Sequence, residues 1–231
     1  MFFNFTFRHF LTKPQSLAEQ LQNTSMRGFA NRILLVFILG ILLFGARNWW
    51  GMGTESLTSI LTMGTTADFT IARFTSLLGS VSWALIYMSF HFFGFAYILS
   101  LITAIPFKKL LPLQLLMTGL LLIEKALVFL IFVMKGEVAN VSFLSFGPLA
   151  VTFIDIPYLI FFLNQITITT VIIIAFQYRF IQRFTGSTKT KQLVFILIGI
   201  HIAMALITAG VGFIPMESLF ERYIEGGVGN V

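Results

Sequence analysis

The sequence predicts an all-α integral membrane protein with five transmembrane helices, a cytoplasmic N-terminus and an extracytoplasmic C-terminus. Five apolar stretches are each long enough to cross a bilayer, at roughly residues 29–46, 77–105, 110–134, 156–178 and 193–214. Only 10% of the 231 residues are charged, whereas a soluble domain carries about 25%. Segments rich in basic residues also alternate along the chain with segments rich in acidic residues. Together these observations indicate the class and the orientation.

The apolar stretches take up most of the chain and leave room for one folded domain. Because lipid offers no hydrogen-bond partners to the backbone, each stretch is expected to be a helix. We therefore expect a five-helix membrane domain over residues 29–231, with an extracytoplasmic loop over residues 47–76. Residues 1–28 precede it as a cytoplasmic or interfacial segment, in which Phe7 and Phe10 suit contact with the membrane surface. A short helix is expected after Pro14.

The distribution of charge predicts which loops lie in the cytoplasm. Short loops rich in Lys and Arg stay on the cytoplasmic side. One set of segments contains the single acid Glu19 and the basic residues Arg8, Lys13, Arg27, Arg32, Lys108, Lys109, Arg179, Arg183, Lys189 and Lys191. The other set carries seven acidic and four basic residues. The first set is predicted to be cytoplasmic, and its loops with Lys108, Lys109, Arg179, Arg183, Lys189 and Lys191 are candidate docking surfaces.

Polar side chains within the apolar stretches form a predicted cluster near the middle of the membrane. His91, Glu124 and Asn164 each lie fourteen residues from the cytoplasmic end of their stretch. At 1.5 Å per residue, all three are expected about 21 Å from that boundary. Lys125 and Gln165 adjoin two of them. Because neighbouring residues on a helix point about 100° apart, Glu124 and Lys125 are not expected to face one another.

Two interpretations of this cluster remain open. Ionisable residues inside a membrane are costly and often mark a solute path or a proton relay. We therefore consider a relay or small-solute site among His91, Glu124, Lys125, Asn164 and Gln165. The other interpretation is structural, because polar contacts between helices stabilise membrane bundles by about 0.6–2 kcal/mol each.

Small residues at helical spacing predict faces on which helices pack closely. Ala96, Ser100 and Ala104 form one such stripe in the second stretch, and Ala205 and Ala209 follow His201 in the fifth. Small faces let backbones approach closely inside membranes. These residues are candidate faces for docking onto another membrane protein.

Signatures of catalysis and of cofactor binding are missing from the sequence. There is no cysteine, which excludes thiol catalysis and thiolate metal sites. No phosphate-binding GxxxxGK[ST] loop, HExxH pair or GxSxG elbow occurs. We therefore expect no enzyme activity and no cofactor. The basic residues follow membrane topology, so no nucleic-acid partner is expected and lipid is the predicted partner.

The chain resembles the bacterial branch of the Yip domain (Ypt-interacting protein) membrane family in three stretches. Residues 10–17 (FLTKPQSL) are similar to a short Lys-Pro helix before the first span, and residues 105–112 (IPFKKLLP) to a tight cytoplasmic turn. Residues 162–204 follow the family's order of polar break, span, basic turn and last span. At Asn164–Ile166 the chain lacks an acidic residue that is common in the family.

The resemblance implies a non-catalytic accessory subunit in a bacterial cell membrane. It would assist assembly or gating of a MacB-type ABC exporter for efflux or toxin protection, with the permease, ATPase and adaptor as partners. The alternatives are a stand-alone permease or channel for a small solute, and a protein that organises lipids or membrane curvature. A homo-oligomer is also compatible with the sequence.

Overall fold

The computed structural model describes residues 2–4, 6–54, 57–58, 65–136, 141–186 and 190–212. A short parallel pair joins β1 (Phe2–Asn4) to β2 (Ser25–Arg27). The first helices are α1 (Phe7–Thr12), α2 (Pro14–Asn23), α3 (Phe29–Trp50) and α4 (Thr66–Ser89). A π-helical turn (Phe90–Gly94) connects α4 directly to α5 (Phe95–Thr103). There follow α6 (Phe107–Lys135), α7 (Gly147–Phe153), α8 (Pro157–Gln165), α9 (Ile168–Thr185) and α10 (Thr190–Gly212).

The protein is an all-α membrane protein, as predicted. Within the described ranges, four helical segments are long and apolar enough to cross a membrane: Phe29–Trp50, Thr66–Thr103, Phe107–Lys135 and Lys191–Gly210. They match four of the five predicted stretches. The C-terminus was predicted to lie outside the membrane. That prediction concerns residues beyond 212, which are outside the described residues.

The fourth predicted stretch, residues 156–178, is not one continuous helix, and that prediction was wrong. The chain leaves the helical conformation between α8 and α9, and the Thr167 side chain accepts a hydrogen bond from the backbone N–H of Thr170. The backbone N–H of Ile168 donates instead to the carbonyl of Leu144, at 3.0 Å. The break is possible inside the bundle because these partners satisfy backbone groups that a continuous helix would have paired.

The second membrane-crossing helix starts earlier than the predicted residue 77. Thr65 and Asp68 form a capping box, in which each side chain accepts a hydrogen bond from the other residue's backbone N–H. This cap starts α4 at Thr66. From there to Thr103 the helix has 38 residues, about 57 Å at 1.5 Å per residue. A hydrocarbon layer is about 30 Å thick, so this helix is longer than one perpendicular crossing requires.

Most of the predicted basic loops are helical. Lys108 and Lys109 lie in the first turn of α6, Arg179 and Arg183 lie in α9, and Lys191 lies in α10. Helix α9 continues until Gly186, whose φ of 64° ends it in the left-handed conformation. Basic residues near that end are favoured by the negative end of the helix dipole. Lys189 lies outside the described residues.

The N-terminal segment packs into the bundle, so the predicted contact of Phe10 with the membrane surface was wrong. Phe10 is 1% exposed and belongs to the main hydrophobic core. The Lys109 ammonium donates to the carbonyls of Leu21 and Thr24 at the end of α2. These contacts cover apolar side chains at one end of the bundle, and that burial outweighs contact with the membrane surface.

Helix α2 is additionally held against the last turns of α9. The guanidinium of Arg183 lies 2.7 Å from the Glu19 carboxylate, and the side-chain amide of Gln22 donates to the carbonyl of Phe184 at 3.0 Å. The predicted helix after Pro14 is confirmed. The main core lies between α2, α5, α6, α9 and α10, while α3 packs against α4 and α6, and α8 packs against α10.

Candidate functional site

Two neighbouring cavities lie between the membrane-crossing helices. The charged cavity has a volume of about 100 Å³ and contains the polar side chains of Arg47, Tyr87, Glu124, Lys125, Ser142, Asn164, Gln165, Thr167 and Thr170. The histidine cavity has a volume of about 50 Å³ and contains those of His91, Gln114, Gln177, His201 and Thr208. Tyr87, Leu121, Gln165 and Thr170 line both cavities. The helices therefore form two adjoining cavities, each lined partly by polar side chains, that share one wall.

Glu124 is held at the N-terminus of α9. Its side chain is 6% exposed, and its Oε2 accepts a hydrogen bond from the Thr167 hydroxyl at 2.7 Å. Thr167 also caps α9 by accepting from the Thr170 N–H. A carboxylate is stabilised at the positive end of a helix dipole and by a short charge-assisted hydrogen bond. The helix break therefore gives Glu124 a partner inside the membrane domain.

Two basic side chains line the same cavity and rest on aromatic rings. The Lys125 Nζ lies 5.3 Å from the centre of the Tyr87 ring, and the Arg47 guanidinium carbon lies 5.5 Å from that of Phe44. Such contacts stabilise a cation by about 0.5–2 kcal/mol. In the described part of the chain, neither cation forms an ion pair, and the buried Nε of Arg47 has no hydrogen-bond partner.

The two cations lie equally far from the starts of their helices. Arg47 is eighteen residues beyond Phe29, where α3 begins, and Lys125 is eighteen residues beyond Phe107, where α6 begins. Both therefore lie about 27 Å along their helices. Arg47 and Lys125 reach one cavity because α3 packs directly against α6.

The histidine cavity contains amide and imidazole groups. The Nε2 of His201 lies 3.1 Å from the Oε1 of Gln177, and its ring centre lies 4.9 Å from that of Phe95. The His91 and Tyr87 rings have centres 4.4 Å apart. The buried Nε2 of Gln114 has no partner among the described residues. An unpaired buried polar group costs about 1–3 kcal/mol, so a polar cavity beside it is a natural place for water.

The structure brings the predicted midplane residues into these two cavities. Glu124, Lys125, Asn164 and Gln165 line the charged cavity, and His91 lines the histidine cavity, which Gln165 also borders. The Oδ1 of Asn164 accepts hydrogen bonds from the Ser142 N–H and the Ser145 hydroxyl, both at 2.8 Å. Asn164 therefore ties the segment before α7 to the end of α8.

The small-residue faces pack helices of this chain together. Ala96, Ala205 and Ala209 are buried within the bundle. The Ser100 hydroxyl donates to the Tyr97 carbonyl at 2.7 Å, and Ala104 follows the end of α5 with a φ of 55°. His201, placed on a docking face by sequence, instead lines the histidine cavity. Ala96, Ala205 and Ala209 are consequently not open to a partner in this structure, whereas Ala104 is exposed.

Sequence reasoning missed Arg47, Tyr87, Thr167 and Gln177. Arg47 was assigned to an outer loop because the first apolar stretch was ended before it, whereas α3 continues to Trp50. Tyr87 lies one helical turn before His91, and that spacing could have placed both side chains on one face. Thr167 and Gln177 carried no signal, because single Thr and Gln residues are common at helix contacts in membranes.

Comparisons with protein-family models, curated proteins and solved structures give no match to this chain. Within the described ranges, no three His, Cys, Asp or Glu side chains come together in a way that could hold a metal ion. The site therefore has to be interpreted from its own geometry.

Proposed function

We propose that this chain binds a small polar solute inside its membrane domain and lets it pass between the two sides of the membrane. The observation that carries the proposal is the charged cavity, where Arg47, Glu124 and Lys125 line one space. Burying charge at membrane depth is costly. A cavity that served only helix packing would be filled more cheaply by apolar side chains.

The broken helix supports the same proposal. Non-helical backbone at membrane depth is tolerated where it is buried in protein or lines a water-filled cavity. Substrate sites of secondary transporters form at such discontinuous helices. Here the break between α8 and α9 places Gln165, Thr167 and Thr170 on the cavity wall. The π-helical turn at Phe90–Gly94, which contains His91, is a second irregularity beside the cavities, and such turns frequently occur at functional sites.

The proposal includes a fifth crossing made by α8 and α9 together. Helix α9 has 18 residues, about 27 Å at 1.5 Å per residue, and α8 adds nine residues before the break. With this crossing, the charge distribution gives a cytoplasmic N-terminus and an extracytoplasmic C-terminus. The most fitting location is a bacterial cell membrane, which the chain would cross several times.

Cysteine accessibility tests whether the cavities contain water. The natural chain has no cysteine, so single cysteines can be introduced without background. Thr170→Cys and Thr208→Cys place a thiol in the cavities, while Leu39→Cys and Ile207→Cys place one on exposed apolar surface, at 53% and 65% exposure. We expect a charged, membrane-impermeant thiol reagent to label the first pair and not the second.

Transport is tested with the purified full chain in lipid vesicles. The panel contains a small neutral solute, a monovalent cation, a proton gradient and a small anion. Passage of at least one of these, blocked by the thiol reagent in Thr170→Cys but not in Leu39→Cys vesicles, is the expected result. Failure of every solute to pass, together with unlabelled cavity cysteines, would rule the proposal out.

The accessory-subunit hypothesis is the second candidate, and the apolar face of α3 favours it. Leu34, Leu35, Leu39 and Leu42 are all more than half exposed on that helix, a surface that suits lipid or another membrane protein. The resemblance to the Yip family remains a prediction. Stoichiometric recovery of an ABC permease and ATPase after light crosslinking in native membranes would support this candidate, and recovery of the chain alone would contradict it.

A further inference from the structure

We infer that the charged cavity takes a small monovalent anion, such as a halide or a short carboxylate. The inference rests on the proposed function and names the solute class for the same site. Three features of the cavity support it: the charges on the wall, the hydrogen-bond donors of the charged side chains, and the cavity volume.

Among the described residues, the charges on the cavity wall do not cancel. Arg47 and Lys125 contribute two positive charges, and Glu124 is the only carboxylate among the described residues that line the cavity. Neither cation is ion-paired within the described ranges. An uncompensated buried charge is strongly unfavourable, so one monovalent anion would balance the wall.

The hydrogen-bond donors are also in place for an anion. The Arg47 guanidinium lies over the Phe44 ring and the Lys125 ammonium over the Tyr87 ring, and these ring faces attract the positive charge. Among the described residues, the buried Nε of Arg47 has no hydrogen-bond partner. Guanidinium and ammonium groups donate charge-assisted hydrogen bonds to anions, such as a halide ion or the oxygens of a carboxylate.

Glu124 does not form an ion pair with either cation of the cavity within the described ranges. Its Oε2 is engaged by the Thr167 hydroxyl at 2.7 Å, at the start of α9, and it lies beyond ion-pair distance of Arg47 and Lys125. The negative charge of the Glu124 carboxylate therefore lowers the affinity of the cavity for an anion. Removing its charge should strengthen anion binding, whereas removing either cation should weaken it.

The volume limits the size of the ligand. Measured as the volume open to the centre of a water-sized sphere, one water molecule requires about 10–15 Å³. By the same measure the cavity has a volume of about 100 Å³. A chloride, nitrate, formate or acetate ion would fit, with or without a few waters. A nucleotide or a lipid headgroup with its glycerol would not.

The test measures anion-dependent thermal stability of the purified full chain in detergent. Chloride, nitrate, formate and acetate are titrated against gluconate, which is too large for the cavity. A ligand that binds the folded state raises the melting temperature by mass action. We compare the natural chain with Arg47→Gln, Lys125→Gln, Glu124→Gln and the control Lys135→Gln, which removes one positive charge at the exposed end of α6.

The expected change in anion affinity has opposite signs in the cation variants and in Glu124→Gln. Arg47→Gln and Lys125→Gln should bind the anion about tenfold to a hundredfold more weakly, because each loses a hydrogen bond from a charged group. Glu124→Gln should bind it more tightly, and Lys135→Gln should be unchanged. The Glu124→Gln arm keeps the test decisive even if a cation variant fails to fold. Stabilisation by formate and acetate but not by chloride would identify a carboxylate as the ligand; the reverse would identify a halide.

Vesicle flux separates this inference from the proposed function. If neutral solutes or cations pass and no anion stabilises the chain, the anion assignment is overturned while the solute pathway stands. If anions stabilise the chain in the expected variant pattern but nothing passes, the anion site stands and the transport proposal fails. Equal stabilisation of all variants by an anion would also overturn the assignment, because binding would then lie elsewhere.

Discussion

Replacing Thr167 with valine tests the contact that joins the helix break to the buried carboxylate. The substitution keeps the shape of the side chain and removes a hydroxyl that donates to Glu124 at 2.7 Å and accepts from the Thr170 N–H. Loss of a helix cap costs about 0.5–2 kcal/mol. A hydrogen bond to a charged group contributes about 1.5–3 kcal/mol.

Inside a membrane, the hydrogen bond between Thr167 and Glu124 contributes less than this. Polar contacts between helices in membranes average about 0.6 kcal/mol and reach about 1.7. Because the acceptor is a charged carboxylate at 6% exposure, we expect a value near that upper limit. Thr167→Val should therefore lower the free energy of unfolding by about 2–4 kcal/mol, when the cap and the carboxylate contact are taken together.

A double-mutant cycle isolates the contact to Glu124. Unfolding in mixed micelles is measured for Thr167→Val, Glu124→Leu and the double variant, and the coupling free energy should be about 1.5 kcal/mol. Thr65→Val serves as a control because Thr65 caps α4 in the same way at an exposed position. A coupling near zero, with Thr167→Val no worse than Thr65→Val, would refute the role given to the helix break.

Three further predictions concern packing and topology. Phe10→Ala should lower the free energy of unfolding by about 3–5 kcal/mol, measured in the same assay, because its ring is buried in the main core. Gly119→Ala should cost about 1–3 kcal/mol, since a Cβ there would lie 2.8 Å from the Phe7 ring. Gly199→Ala should cost nothing, because no atom lies within 4 Å of its Cβ position. Alkaline phosphatase fused after Val231 should be active outside the membrane, and activity confined to the cytoplasm would contradict the topology.

The part of the fold that depends on composition could be predicted from the sequence. Apolar length determines where helices cross, because the bilayer rejects charge and unpaired backbone whatever the neighbours are. Phe29–Trp50, Thr66–Thr103, Phe107–Lys135 and Lys191–Gly210 therefore fall on predicted stretches. The sequence also singled out Glu124 and Lys125, since a charge within an apolar stretch is conspicuous without knowledge of its surroundings.

Apolar length did not predict the break at Thr167, because the break depends on a partner distant in sequence. Residues 156–178 are apolar enough for a continuous helix, and the break forms where Leu144 and Glu124 supply alternative hydrogen-bond partners. Phe10 illustrates the same limit. Its aromatic character suits a membrane surface and a protein core equally well, and only the packing of α1 beside α6 decides between them.

The sequence by itself determined that this is a helical membrane protein with ionisable residues at depth. The tertiary structure alone decided that Arg47, Glu124 and Lys125 share one cavity. Residue spacing fixes depth along each helix, but the rotation of a helix about its axis is set by packing against its neighbours. Which polar side chains face one another is therefore a property of the assembled bundle.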